Sequence, residues 1–142
     1  MREALRIIDA NLNRSSEGIR VCEDIARFAL NDRPLTRSLK KVRQDTLRCA
    51  KKIECSSGAQ SLKFRNTLKD VGKKSSRREL RRRTLTDIFR ANAQRAKESL
   101  RSLEEVSKLL DKNVSKKFKR LRFKVYELEK RSRLKLESLL DN

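Results

Sequence analysis

Histidine and tryptophan are absent from this 142-residue chain, and there are only three glycines, one proline and three cysteines. Without histidine the commonest general base at neutral pH is missing, and a conventional zinc site has no imidazole to draw on. Cys22, Cys49 and Cys55 form an odd set with no C-x-x-C element, which excludes a disulfide framework. Cys22 falls on the apolar face of its helix and reads as core. No apolar run approaches the roughly 20 residues that span a bilayer, and nothing near Met1 combines a basic start with an apolar stretch and a cleavage site. A soluble, cytoplasmic protein without membrane contact is expected. The scarcity of Gly and Pro leaves few places where the backbone is forced to break.

What the chain has in excess is positive charge: 39 Lys and Arg against 19 Asp and Glu, a formal +20. Its natural ligand is therefore expected to be anionic, whether nucleotide, phosphoester, nucleic acid or acidic lipid. With 41% charged and 36% hydrophobic residues, the balance is that of long amphipathic helices with solvated outer faces. The length suits one compact domain over 1–142.

Apolar residues recur at helical spacing along Leu5, Ile8, Leu12, Ile19, Cys22 and Ala26, predicting a helix from Arg2 to Leu30 that stops at Asn31-Asp32-Arg33-Pro34. Leu35, Leu39, Val42, Thr46, Cys49 and Ile53 predict a second, antiparallel to the first because the connection is short. Residues 56–83 lose the period and are expected to form a loop with a short helix, ending in the basic tract KKSSRRELRRR at 73–83. Thr84 followed by Asp87 is a capping-box signature. It opens a third helix that is expected to stop around Asp111-Lys112-Asn113, and a fourth follows from Val114 to Leu139.

The most informative feature is an internal repeat. DANLNRSSEGIRVCEDIARF at 9–28 aligns without gaps on RANAQRAKESLRSLEEVSKL at 90–109, pairing Ala10 with Ala91, Asn11 with Asn92, Arg14 with Arg95, Glu17 with Glu98, Arg20 with Arg101 and Glu23 with Glu104. LKKVR at 39–43 then matches FKRLR at 118–122. The chain reads as a duplicated helical hairpin (1–55 and 84–140, joined by the loop 56–83). The expected fold is all-α, a four-helix bundle of two pseudo-twofold-related hairpins with a central basic loop.

At about 100° per residue, Asn11, Arg14 and Gly18, like Asn92, Arg95 and Ser99, project into the apolar arc, where an unpaired polar group is costly. One account pairs Arg14 with Glu17 or a facing carboxylate and gives it the job of fixing register. The other has Arg14, Arg95, Asn11 and Asn92 converge across the pseudo-twofold axis on a phosphate-rich ligand, since guanidinium matches phosphate bidentately. Arg43 and Arg122, at equivalent ends of the second matched segment, join this phosphate-binding set. Arg20 and Arg101 read as a solvated salt-bridge ladder. In the loop, Arg65, Asp70 and Gly72 stand out because Gly72 allows an unusual turn beside a carboxylate and a guanidinium.

The segments RIIDANLNRSSEGIRVCEDIARF at 6–28, RNTLKDVG at 65–72, DIFRANAQRAKESLRSLEEVSKL at 87–109 and LRFKVYELE at 121–129 together resemble the hydroxymethylpyrimidine phosphate kinases of thiamin biosynthesis. That family occurs alone or fused to thiamin-phosphate synthase, and the absence of an alternating strand and helix pattern points to the standalone form. The resemblance implies a phosphotransferase that uses ATP and Mg²⁺ to convert the pyrimidine monophosphate to its diphosphate. Arg14 and Arg95 would be catalytic, Asn11, Asn92, Arg65, Gly72, Arg43 and Arg122 would hold phosphate or substrate, and Glu17, Glu98 and Asp70 are candidate Mg²⁺ ligands. Asn66 departs from the pattern, standing where the family tends to carry an acidic residue. No G-x-x-x-x-G-K-[ST] loop is present, so side chains must hold the phosphates. The acceptor is an ionised phosphate, and a His-free kinase is no contradiction. A basic nucleic-acid-binding module and a non-catalytic partner of thiamin-phosphate synthase are the alternatives, with oligomeric state open. A kinase should gather its positive charge in one cleft, whereas a nucleic-acid binder should spread it along a helical face.

Overall fold

The computed structural model describes residues 1–58, 60–74 and 81–140. Among them are four α-helices, α1 (Arg2–Phe28), α2 (Arg33–Ser57), α3 (Leu85–Ser107) and α4 (Lys112–Leu140), one short 3₁₀ turn at Ser61–Phe64, and no strand. This is the expected all-α bundle. The short helix anticipated in the central loop is the 3₁₀ turn; residues 75–80 of the basic tract lie outside the described residues.

Local chemistry sets the helix ends. Asn31 takes a left-handed φ of 50°, Asp32 caps α2 by accepting from the Leu35 amide at 2.9 Å, and Pro34 occupies the first turn, where its missing N–H costs nothing. Gly58 closes α2 in the left-handed region. Thr84 and Asp87 form the reciprocal capping box at the start of α3. The second hairpin turn differs from expectation: α3 ends at Ser107, and Asp111-Lys112-Asn113 opens α4 instead of closing α3. Asp111 accepts from the Asn113 and Val114 amides. An aspartate three residues before an apolar period is a start signal, the role Asp32 plays in the first hairpin.

Side-chain contacts give each helix its direction. Cys22 Sγ reaches the Phe89 carbonyl while Gly18 lies against Asn92 and Ala96, so α1 and α3 run antiparallel. Glu104 to Arg122 and Lys97 to Glu129 make α3 and α4 antiparallel, and the bridge from Asp32 to Lys135 lies near the start of α2 and the end of α4. In this arrangement α2 and α3 point the same way. The connection between them must therefore climb the length of the bundle, about 37 Å for a 25-residue helix, which a two-residue turn cannot do. This is why 58–84 is long.

The register also locates the symmetry axis. Cys22 opposite Phe89 implies Ser15 opposite Ala96, which are equivalent positions of the repeat, and both are fully buried. A residue that meets its own counterpart marks where a twofold axis passes. Around it Leu5, Ile8, Ile19, Leu35, Ile53, Phe89, Leu100, Leu103, Phe118 and Leu128 form one continuous core.

Candidate functional site

Glu23 on α1 reaches Arg43 on α2 at 2.8 Å, and Glu104 on α3 reaches Arg122 on α4 at 3.0 Å. These directions define which side of α1 and α3 faces the other layer. Counting about 100° per residue from Ser15 and Ala96, Arg14 and Arg95 fall on the opposite side. Both border the outer groove where α1 and α3 cross, facing away from α2 and α4.

The groove floor is made by small side chains. A methyl group added at Gly18 would lie 2.8 Å from the Asn92 carbonyl oxygen, so the two backbones approach as closely as glycine permits. At the counterpart position, Ser99 turns its hydroxyl back onto the Arg95 and Ala96 carbonyls. Asn11 donates to the Ile7 carbonyl at 2.9 Å and Asn92 to that of Ile88 at 2.8 Å, the same bond in both copies. Arg14 Nη1 contacts the Asn11 oxygen at 3.4 Å, whereas Arg95 makes no ion pair among the described residues.

Arg14 and Arg95 are exposed and not buried in the apolar arc. They stand at the margin of that arc, and a long guanidinium side chain at a margin extends to water. Arg14 also makes no ion pair with Glu17, which leaves no register-fixing role for it. Glu17 and Glu98 are both exposed, Glu17 near the Arg65 guanidinium and Glu98 accepting from Gln94.

Other expected site residues lie elsewhere. Arg43 and Arg122 are committed to the buried pairs with Glu23 and Glu104, which removes them from the phosphate-binding set; buried carboxylates require such partners. Arg65 clamps Asp9 on the other flank of α1 with bonds of 2.7 and 2.8 Å. The Asp9 carboxylate, aided by the nearby charge of Glu17, holds its guanidinium above the ordinary range. The bond ties the crossover to α1 and places Arg65 outside the outer groove. Gly72 does not adopt a positive φ; its amide donates to Asp70 at 2.8 Å in an exposed local turn. Asn66 makes a similar turn onto Lys69. Arg20 with Asp24 and Arg101 with Glu105 form exposed pairs, a solvated ladder as expected, and Arg101 also reaches the buried Glu104.

Among the described residues no three acidic or Cys side chains cluster to hold a metal, so Glu17, Glu98 and Asp70 do not form a cage. The donor set fits Mg²⁺ only as that ion is usually bound, by phosphates and water with one or two carboxylates, here Glu17 or Glu98.

Lys97 has no counterpart in the first copy, where Ser16 stands. It is buried between α3 and α4, pairing with Glu129 at 2.6 Å and lying 4.6 Å from the Tyr126 ring centre. The break in the repeat, Lys97 against Ser16 and Glu129 against Ala50, is the signal that would have found it. Burial and the charge of Glu129 push the Cys22 thiol up to about 12, which makes it inert core.

A duplicated helical hairpin whose repeated Asn and Arg side chains line one groove at the pseudo-twofold crossing is the class of protein defined here. The sequence pattern described as the ThiD2 family matches residues 6–131, and the chain belongs to that family. It is 36% identical over 125 residues to the thiamine-phosphate synthase of Nostoc punctiforme (87% of this chain, 34% of that protein). It is 39% identical over 132 residues to that of Synechocystis sp. (87% and 34%), and 34% over 139 residues to that of Rhodopirellula baltica (97% and 36%). The chain spans about a third of the length of these curated relatives. No solved structure matches. No described helix is long and apolar enough to cross a membrane.

Proposed function

We propose that this chain is an ATP-dependent kinase that converts hydroxymethylpyrimidine monophosphate to the diphosphate, with Arg14 and Arg95 holding the reacting phosphates in the outer α1/α3 groove. Membership of the ThiD2 family and similarity to thiamine-phosphate synthases support a role in thiamin biosynthesis. The observation that carries the site is the repeated Asn and Arg pair, Asn11 with Arg14 and Asn92 with Arg95, on one groove around the Gly18 crossing.

An oxygen of the acceptor phosphate attacks the γ-phosphorus of ATP, one P–O bond forms, the bond to the β-phosphate oxygen breaks, and ADP leaves. The attacking oxygen is already ionised, so no residue need remove a proton. The residues have two tasks, neutralising clustered charge and aligning donor with acceptor. Arg14 and Arg95, on opposite sides of the axis, can each take one phosphate chain, and the Asn11 amide oxygen, which Arg14 contacts, can hold that guanidinium group in place, with Asn92 at the equivalent position beside Arg95. Mg²⁺ bound to the nucleotide supplies further charge neutralisation.

Purified protein with Mg-ATP is expected to phosphorylate the monophosphate and to leave the free hydroxymethylpyrimidine untouched. The free alcohol lacks both the nucleophile and the charge that an arginine would bind. Efficient turnover of the alcohol would sink this mechanism.

A further inference from the structure

The positive charge is divided by layer. α1 and α3, which build the groove, carry nine basic and nine acidic side chains; α2 and α4 carry nineteen basic and five acidic. The face away from the proposed kinase groove thus holds most of the helical excess, spread along two adjacent antiparallel helices. A small phosphorylated substrate bound between α1 and α3 gives no reason for it.

On this face Lys41, Arg48 and Lys52 follow the α2 edge beside α4, while Lys117, Arg120 and Lys124 follow the α4 edge beside α2. Asp45 of α2 pairs with two of them, at 3.3 Å from Lys41 and 2.9 Å from Arg48. At the far end Lys52 and Lys117 meet above buried Cys49, with Arg120 beside them. The neighbouring Lys52 ammonium holds Lys117 below its ordinary range. Like charges gathered this way favour a polyanion that neutralises several at once. Successive cations on each edge are three to seven residues apart, roughly 5 to 10 Å of helix rise.

The exposed aromatics are elsewhere. Tyr126 lies over Lys97 on the α3 flank of α4, with Phe123 beside it, while Phe89 and Phe118 are buried. Base stacking, which holds single strands, therefore has no platform between α2 and α4. We infer that the α2/α4 face is a docking surface for duplex nucleic acid, gripped through its phosphate backbone without sequence readout, and separate from the α1/α3 groove.

The test is fluorescence anisotropy of a labelled duplex of about 20 base pairs titrated with the full chain across a salt series. Non-specific binders of this type have Kd of about 10⁻⁴ to 10⁻⁶ M at physiological salt, and log K should fall against log salt with a slope of roughly −4 to −5 for five neutralised phosphates. The triple variant Lys52→Gln, Lys117→Gln, Arg120→Gln is expected to flatten that slope by about 2 to 3 and weaken binding at least tenfold. Arg14→Met with Arg95→Met should leave it unchanged. Should the triple variant lose its helical circular dichroism, Arg120→Gln alone should flatten the slope by about 1. The inference is overturned if the duplex does not bind, if polyglutamate or a single strand binds as tightly, or if the α2/α4 variants bind like the parent.

Discussion

Replacing Gly18 with alanine tests whether the α1/α3 crossing sets both stability and catalytic geometry. In an ordinary helix this change stabilises by about 0.5 to 1 kcal/mol, because glycine loses more backbone freedom on folding. Here the added methyl would sit 2.8 Å from the Asn92 carbonyl oxygen and 3.5 Å from the Ala96 amide nitrogen. Both are helical backbone, so neither can swing aside, and ordinary contact requires the helices to part by roughly half an ångström. Overpacking of this kind costs about 1 to 3 kcal/mol, which outweighs the propensity gain. A net loss of about 1 kcal/mol should lower the thermal midpoint by roughly 3 to 4 °C in a chain of this size. The same opening separates Asn11 and Arg14 from Asn92 and Arg95, and catalytic constellations tolerate only about 0.5 Å of misplacement. A fall in kcat of roughly tenfold is expected. Gly58→Ala is the control. Gly58 has φ 65° with nothing within 4 Å, so alanine there should cost about 1 to 2 kcal/mol in strain and leave kcat alone. A Gly18→Ala protein more stable than the parent, with unchanged kinetics, would refute the close-crossing argument.

Three further outcomes are expected. Arg43→Met strands Glu23, whose side chain is 8% exposed, and should cost about 3 to 5 kcal/mol by urea unfolding, while Glu23→Met with Arg43→Met together should recover most of it; equal losses in single and double variants would contradict the pairing. Asp32→Asn keeps a capping side chain but removes the bridge to Lys135. Lys135 and the Leu35 amide hold the Asp32 carboxyl below the usual range, so its contribution is present above about pH 4 and lost as pH falls through the lowered folded value; the variant should be less stable at pH 7 and converge with the parent in acid. Asp9→Asn should loosen Arg65 and expose the crossover to proteolysis at lower protease concentration, whereas unchanged protection would show that the clamp does not hold that segment.

The helices, the hairpin pairing and the symmetric bundle were legible because periodicity and self-similarity are properties of one chain read along its length. The rotation of each helix about its axis was less so. Arg14 and Arg95 fall about 100° from the most buried repeat positions, at a margin where the pattern cannot separate a buried guanidinium from a solvated one. Glu23, Arg43, Glu104 and Arg122 were visible as repeated charges, yet their pairing spans two helices and depends on a register that spacing within one helix does not encode. Asp9 carried no signal of its own, because its partner Arg65 is distant in sequence. Lys97 and Glu129 stand where the two copies differ, so the repeat does not mark them. The division of charge between layers could have been read by counting each helix separately, which the total of +20 obscures.

Under the proposed function, phosphoryl transfer is carried by the repeated arginines of the outer α1/α3 groove. Its most direct measurement is ADP and diphosphate formation from Mg-ATP and the pyrimidine monophosphate, made with the parent, Arg14→Met and Arg95→Met proteins alongside their thermal midpoints. Because both side chains are exposed, each variant should melt within about 1 kcal/mol of the parent, while turnover falls by about 10³ to 10⁵. No product from the parent protein, or full turnover in either folded variant, would contradict it.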